Sequence, residues 1–156
     1  MSDVDIDRLI KQSKGYLDSI RADMDPQVTT LVHRYICVLL SANIDQCIQL
    51  IFAEFARARG SDEIHRFVSR TYRRGTNYNA DKIVQELNSF NPKWGETFKD
   101  ETERTDLKEK LDALYGLRNS ISHGGQMSVS RPTLDGYFDA HQKIIRLIRS
   151  IVLGRA

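Results

Sequence analysis

The chain has 156 residues, 40% of them hydrophobic and 28% charged, with a formal net charge of +2. That length suits one domain with a real core, and the composition excludes a largely disordered chain. The small net charge gives no reason by itself to bind nucleic acid. The longest wholly apolar run, Tyr35 to Leu40, falls far below the ~20 residues that span a bilayer, so no membrane helix is expected.

The acidic start MSDVDID is unlike a basic presequence, and a cytoplasmic location is the expectation. Apolar residues recur at three- and four-residue spacing along the chain and strict alternation is scarce, which predicts helices throughout. The first runs from about Val4 to Ile20, with Val4, Ile6, Leu9, Ile10, Leu17 and Ile20 inward. Asp25 and Pro26 supply an N-cap and a first-turn proline for a long helix towards Arg59. Its middle is apolar on most sides, as in the central helix of a bundle. Cys37 and Cys47 lie about 15 Å apart along it, too far for a disulfide, and read as buried thiols. His33 and Cys37 have the one-turn spacing of a metal pair, but no CxxC or HxxxH supplies further ligands. Neither a metal nor a cofactor is expected.

Gly60 and Ser61 end the long helix and cap a short one from Asp62 to about Arg73. This region concentrates Arg57, Arg59, Arg66, Arg70, Arg73 and Arg74 against Asp62 and Glu63, with Phe67 and Tyr72 interleaved. Two readings stand: a solvated helix face, or a track for a phosphate backbone in which Arg66, Arg70, Arg73 and Arg74 bind RNA. The following segment, to about Lys99, is the irregular part. It holds one short helix from about Ala80 to Leu87, a break at Asn91 and Pro92, and Trp94, which is either a lid or a packing anchor. Capping resumes at Thr105 and a periodic stretch runs from Asp106 to Ser122. A polar loop leads to a last helix from about Thr133 to Leu153, with Leu134, Phe138, His141, Ile144, Ile145, Ile148 and Val152 inward. Four main helices, with short ones between the second and third, make an all-α antiparallel four-helix bundle the most economical arrangement.

The stretch RNSISHGG, Arg118 to Gly125, closes the third main helix. Leu107, Leu111, Leu114, Leu117 and Ile121 form its apolar stripe, and Arg118 lies on the edge, where an uncompensated guanidinium is costly. Asn119, Ser122 and His123 fall at i, i+3 and i+4 and face one way, and the long stem of Arg118 can bring its head into the same space. Arginine beside histidine suits phosphodiester chemistry. An imidazole titrating near neutrality can take a proton from a ribose 2′-hydroxyl or return one to the leaving 5′-oxygen, while arginine binds the non-bridging oxygens. The alternative is structural: a helix-terminal histidine is a favourable charge at the negative end of the helix dipole.

RNSISHG resembles the R-N-x-x-x-H signature of the HEPN superfamily, and LDALYGLRNSISHGG with its loop and last apolar helix is most similar to the RiboL-PSP-type branch. SANIDQCIQLIFAEF in the long helix is similar to the equivalent helix there. The resemblance implies a single HEPN-like helical domain over the chain that dimerises with two motifs facing each other. It also implies a metal-independent endoribonuclease leaving a 2′,3′-cyclic phosphate. Arg118 and His123 match the catalytic pair, and Asn119 the polar residue after the arginine. Asp45, on a polar line with Ser41 and Gln49, is the candidate cleft acid, with a buried polar cluster at the dimer contact as its alternative. Some members place an adenylyl-accepting tyrosine two residues after the histidine; here that residue is Gly125. The implied partners are RNA, a second copy of the chain, and an antitoxin or defence-system protein. The other functional expectation is a catalytically idle HEPN module that dimerises and binds RNA or a partner protein.

Overall fold

The structure is a computed structural model that describes residues 3–73 and 77–155; Arg74 lies outside the described residues. The described residues form seven helices and no strand: α1 (Asp3–Asp18), α2 (Pro26–Arg59), α3 (Asp62–Thr71), α4 (Ala80–Phe90), α5 (Pro92–Glu103), α6 (Leu107–Ser122) and α7 (Arg131–Leu153). The all-helical class expected from periodicity holds.

Local chemistry sets the helix ends. The Asp25 carboxylate accepts from the amides of Gln27 and Val28, with Pro26 opening α2 where its missing N–H is harmless. Ser61 and Ser130 cap α3 and α7 in the same way. At α6 the help comes from one residue earlier, since Asp106 makes no side-chain cap bond while Thr105 Oγ1 accepts from the Leu107 amide at 3.4 Å.

Helix α2 is the centre: α1, α3, α6 and α7 all pack on it. Ile36, Cys37, Leu40, Ile44, Cys47, Ile48, Ile51 and Phe52 are buried and meet Leu134, Ile144, Ile145 and Ile148 of α7. Each fully buried side chain of this kind contributes about 1.5–3 kcal/mol. Cys37 and Cys47 are free, as expected, and burial pushes both thiols up to about 12. By length and composition α2 can cross a membrane, which run length alone concealed; most of its apolar stretch is covered by the rest of the fold. His33 is engaged structurally, its Nδ1 2.7 Å from the Val129 carbonyl oxygen.

The expectation of an irregular segment after Leu87 is corrected. Helix α4 runs on to Phe90, and α5 follows after the single residue Asn91. Asn91–Pro92 breaks one helix and starts the next: the Asn91 amide donates to the Leu87 carbonyl, its side chain accepts from the Lys93 amide, and Pro92 sits in the first turn. Gly95 permits the close approach of the two helices, since a Cβ there would lie 2.0 Å from Asn88 Oδ1 and 3.0 Å from the Val84 carbonyl oxygen. Of the two readings of Trp94, the anchor holds. Its ring meets Phe55 edge-on at 5.0 Å between centroids and stacks on Phe90 at 6.2 Å, fastening α5 to α2.

Candidate functional site

Helix α6 buries Leu107, Leu111, Leu114 and Tyr115, but Leu117 and Ile121 are only half-buried. Its apolar stripe therefore runs off the edge of the core as it reaches the motif. Arg118 and Asn119 are half-buried there, and Arg118 Nη1 donates to Asn119 Oδ1 at 3.1 Å. The expected convergence of guanidinium and carboxamide is present.

His123 is the C-cap residue of α6, its backbone amide donating to the Asn119 carbonyl at 3.1 Å. Its imidazole is exposed and engages no other side chain among the described residues. Gly124 takes the left-handed conformation at φ 82°, and the Gly125 amide donates to the Ser120 carbonyl at 2.8 Å. A Cβ on Gly125 would stand 2.5 Å from Ser120 Oγ and 2.7 Å from that carbonyl oxygen, so any side chain at this position requires the turn to shift. Beyond the glycines, Arg34 of α2 donates to the Met127 carbonyl and His33 holds Val129, which pins the loop to α2.

Asp45 of α2 lies behind Arg118. It is buried, and it accepts from Tyr115 Oη at 2.6 Å and from the Tyr78 backbone amide. Burial raises its carboxyl to about 6, against the lowering pull of these hydrogen bonds and of the Arg118 guanidinium. It is therefore largely ionised at neutral pH, within electrostatic reach of Arg118. Of the line Ser41, Asp45 and Gln49, the first two meet at Tyr115, whose hydroxyl lies 3.2 Å from the Ser41 carbonyl oxygen. Gln49 lies apart, in a cavity between α1, α2 and α3. Tyr115 is the member that sequence reasoning missed; its position three residues before Arg118 and four before Asn119 was the available signal, and its partner Asp45 lies 70 residues away on another helix.

On α3, Arg66 and Arg70 point outward beside Phe67, which is 70% exposed, and Arg73 is exposed just past the helix end. The interleaving of Tyr72 is corrected: its ring packs on Phe52 and its hydroxyl donates to Glu86 at 3.0 Å, because the helical period turns it inward beside Val68. A second surface escaped the sequence. Val28, Leu31 (61% exposed) and Tyr35 (63% exposed) form an uncovered stripe on α2, with Met127 also exposed in the loop that α2 holds.

A family model described as RiboL-PSP-HEPN matches residues 4–153. No curated protein and no solved structure was found to match the chain.

Proposed function

This chain belongs to the RiboL-PSP-HEPN family, and from that premise we propose that it is a metal-independent endoribonuclease that works as a homodimer. HEPN domains are commonly RNases or RNA-binding modules. Helices α1, α2, α6 and α7 form the four-helix HEPN bundle in this reading, and α3 to α5 are the additions between its second and third members.

The observation that carries the proposal is the placement of Arg118, held beside Asn119 with the Asp45 carboxylate behind it, on the same helix end that presents His123. The remaining guanidinium N–H groups bind the non-bridging oxygens of a phosphodiester as charge builds on phosphorus. His123 removes the 2′-hydroxyl proton, the 2′-oxygen bonds to phosphorus, and the bond to the 5′-oxygen breaks. That oxygen takes a proton from an imidazolium, leaving a 2′,3′-cyclic phosphate and a 5′-hydroxyl. Asp45 is a positioning residue that sets the orientation of Arg118. Dimerisation covers the stripe of Val28, Leu31 and Tyr35 and the half-buried Leu117 and Ile121, bringing two motifs to one cleft. Single-stranded RNA runs over Arg66, Arg70 and Phe67 by phosphate contact and stacking. A toxin or phage-defence effector kept in check by a partner protein is the setting this activity fits.

One observation favours the idle-module reading: the His123 side chain makes no hydrogen bond or ion pair among the described residues that would orient its ring. The deciding experiment is cleavage of end-labelled RNA in EDTA by wild type and by folded His123→Ala. Loss of roughly 10²–10⁴-fold in the variant supports the enzyme, whereas equal or absent cleavage supports the binding module.

A further inference from the structure

We propose that Arg34 of α2 is a second phosphate-binding residue of the motif, holding the phosphate next to the one at Arg118 on the same RNA strand; the inference rests on the ribonuclease reading. Helix α6 runs antiparallel to α2. Tyr115 meets Ser41 and Asp45, whereas the chain that follows α6 meets Arg34 at Met127 and His33 at Val129. Arg34 and Asp45 stand at i and i+11 on α2, about 20° from alignment around the helix and ~16 Å apart along it. Both therefore lie on the edge of α2 that α6 covers. Asp45 lies behind Arg118, and His123, at the end of α6, is carried on towards the level of Arg34. Along this seam the exposed imidazole falls between two guanidinium groups, Arg118 and Arg34.

The charge of Arg34 is uncompensated. Elsewhere on these helices Arg57, Arg104 and Arg131 pair with Glu54, Glu101 and Asp135, three or four residues away. The corresponding neighbours of Arg34 are Thr30, Leu31, Cys37 and Val38, none of them acidic. Among the described residues Arg34 makes no ion pair, and its hydrogen bond to the Met127 carbonyl is made by Nε. A guanidinium held in this way keeps its Nη donors for a second acceptor, and phosphate oxygens match them in charge and geometry. Pinning the loop explains less. His33 already holds that loop at Val129, and a neutral donor would serve the Met127 carbonyl without the cost of a half-buried charge.

The test is binding of a fluorescent hexaribonucleotide, 2′-O-methylated throughout so that it lacks the attacking hydroxyl, followed by anisotropy from about 50 to 300 mM salt. Arg34→Gln keeps a hydrogen-bond donor and removes the charge. It should reduce the slope of log affinity against log salt by about 0.7, the share of one phosphate on a single strand. Arg34→Lys should restore the slope, because an ammonium neutralises a phosphate as a point charge. On cleavable RNA, Arg34→Gln should raise KM about threefold or more and leave kcat within about twofold, as a contact made equally in ground and transition states does. An unchanged slope overturns the proposal, as does loss of kcat at unchanged KM, the result of a loop that needs only pinning. Failure of wild type to bind the oligomer at any salt overturns it too. Circular dichroism checks that both variants fold. If Arg34 alone is misassigned, wild type cleaves RNA in EDTA while the slope ignores Arg34→Gln; if the ribonuclease reading alone is wrong, no RNA is cut while the Arg34-dependent slope persists.

Discussion

Tyr115 donates its hydroxyl to Asp45 across 2.6 Å, tying α6 to α2 one helical turn before Arg118. The bond fixes a carboxylate within electrostatic reach of the Arg118 guanidinium. Burial raises the Asp45 carboxyl from 3.8 to about 6, and a folded value above the unfolded one means that the folded chain holds the proton more tightly. The associated stability is present in full below about pH 4 and lost as the pH rises through 6, at most about 3 kcal/mol. Asp45→Asn keeps an acceptor for Tyr115 and removes the charge. Urea unfolding should show it more stable than wild type at pH 7.5, with little difference at pH 4, while RNA cleavage drops about tenfold or more.

His141 works in the opposite sense. It is buried in α7, its Nε2 2.6 Å from Asn43 Oδ1, and burial lowers it from 6.5 to about 4. Folding therefore favours the neutral ring, and that stability is lost as the pH falls from about 6.5 through 4, again by about 3 kcal/mol. The two groups offset each other over the same window. Wild type should show a nearly flat stability profile between pH 4 and 6.5. Asp45→Asn should become acid-sensitive there, and His141→Gln should gain stability on acidification; parallel profiles for all three proteins would reject both assignments.

The outward face of α3 makes a prediction about salt. If Arg66 and Arg70 neutralise phosphates of a single strand, log affinity should fall linearly with log salt, and replacing both with alanine should reduce the slope by about 1.4, roughly 0.7 for each phosphate left unneutralised. Filter binding from about 50 to 300 mM salt checks this. Phe67→Ala should weaken binding with the slope unchanged, since stacking releases no counterions.

Leu31 and Tyr35 supply the test of the dimer. A double substitution, Leu31→Glu with Tyr35→Glu, leaves the core alone because both side chains are more than 60% exposed. Sedimentation should show wild type as a dimer at micromolar concentration and the variant as a monomer of unchanged helical content. Cleavage should disappear together with the dimer.

Most of the architecture was legible because the core obeys the helical period. The α7 stripe from Leu134 to Val152 lies inside, with Phe138 half-buried at its edge, and Asp25–Pro26, Gly60–Ser61 and the glycine pair mark ends that their hydrogen bonds explain. Helix α5 was not legible, since PKWGETFKDETE has few apolar residues and a glycine in its first turns; the packing of Trp94 and the close approach at Gly95 form it rather than propensity. In the site, the clustering of Arg118 and Asn119 followed from spacing. Tyr115 and the reach of Asp45 to α6 did not, because a hydrogen bond between residues 70 apart leaves no local pattern. The α2 stripe was hidden for another reason: a helix apolar on most sides does not say which side the rest of the fold leaves bare.

The pinned loop has a consequence for His123. Upstream it is held by α6, the Gly124 and Gly125 amides donate back to the Ile121 and Ser120 carbonyls, and downstream Met127 and Val129 are fastened to Arg34 and His33 of α2, so the backbone is held on both sides of His123. A histidine on a long free loop would surrender that freedom each time a strand docked. Here the backbone on both sides of His123 is ordered when the chain folds, and only the exposed imidazole is left to be oriented by whatever reaches this helix end.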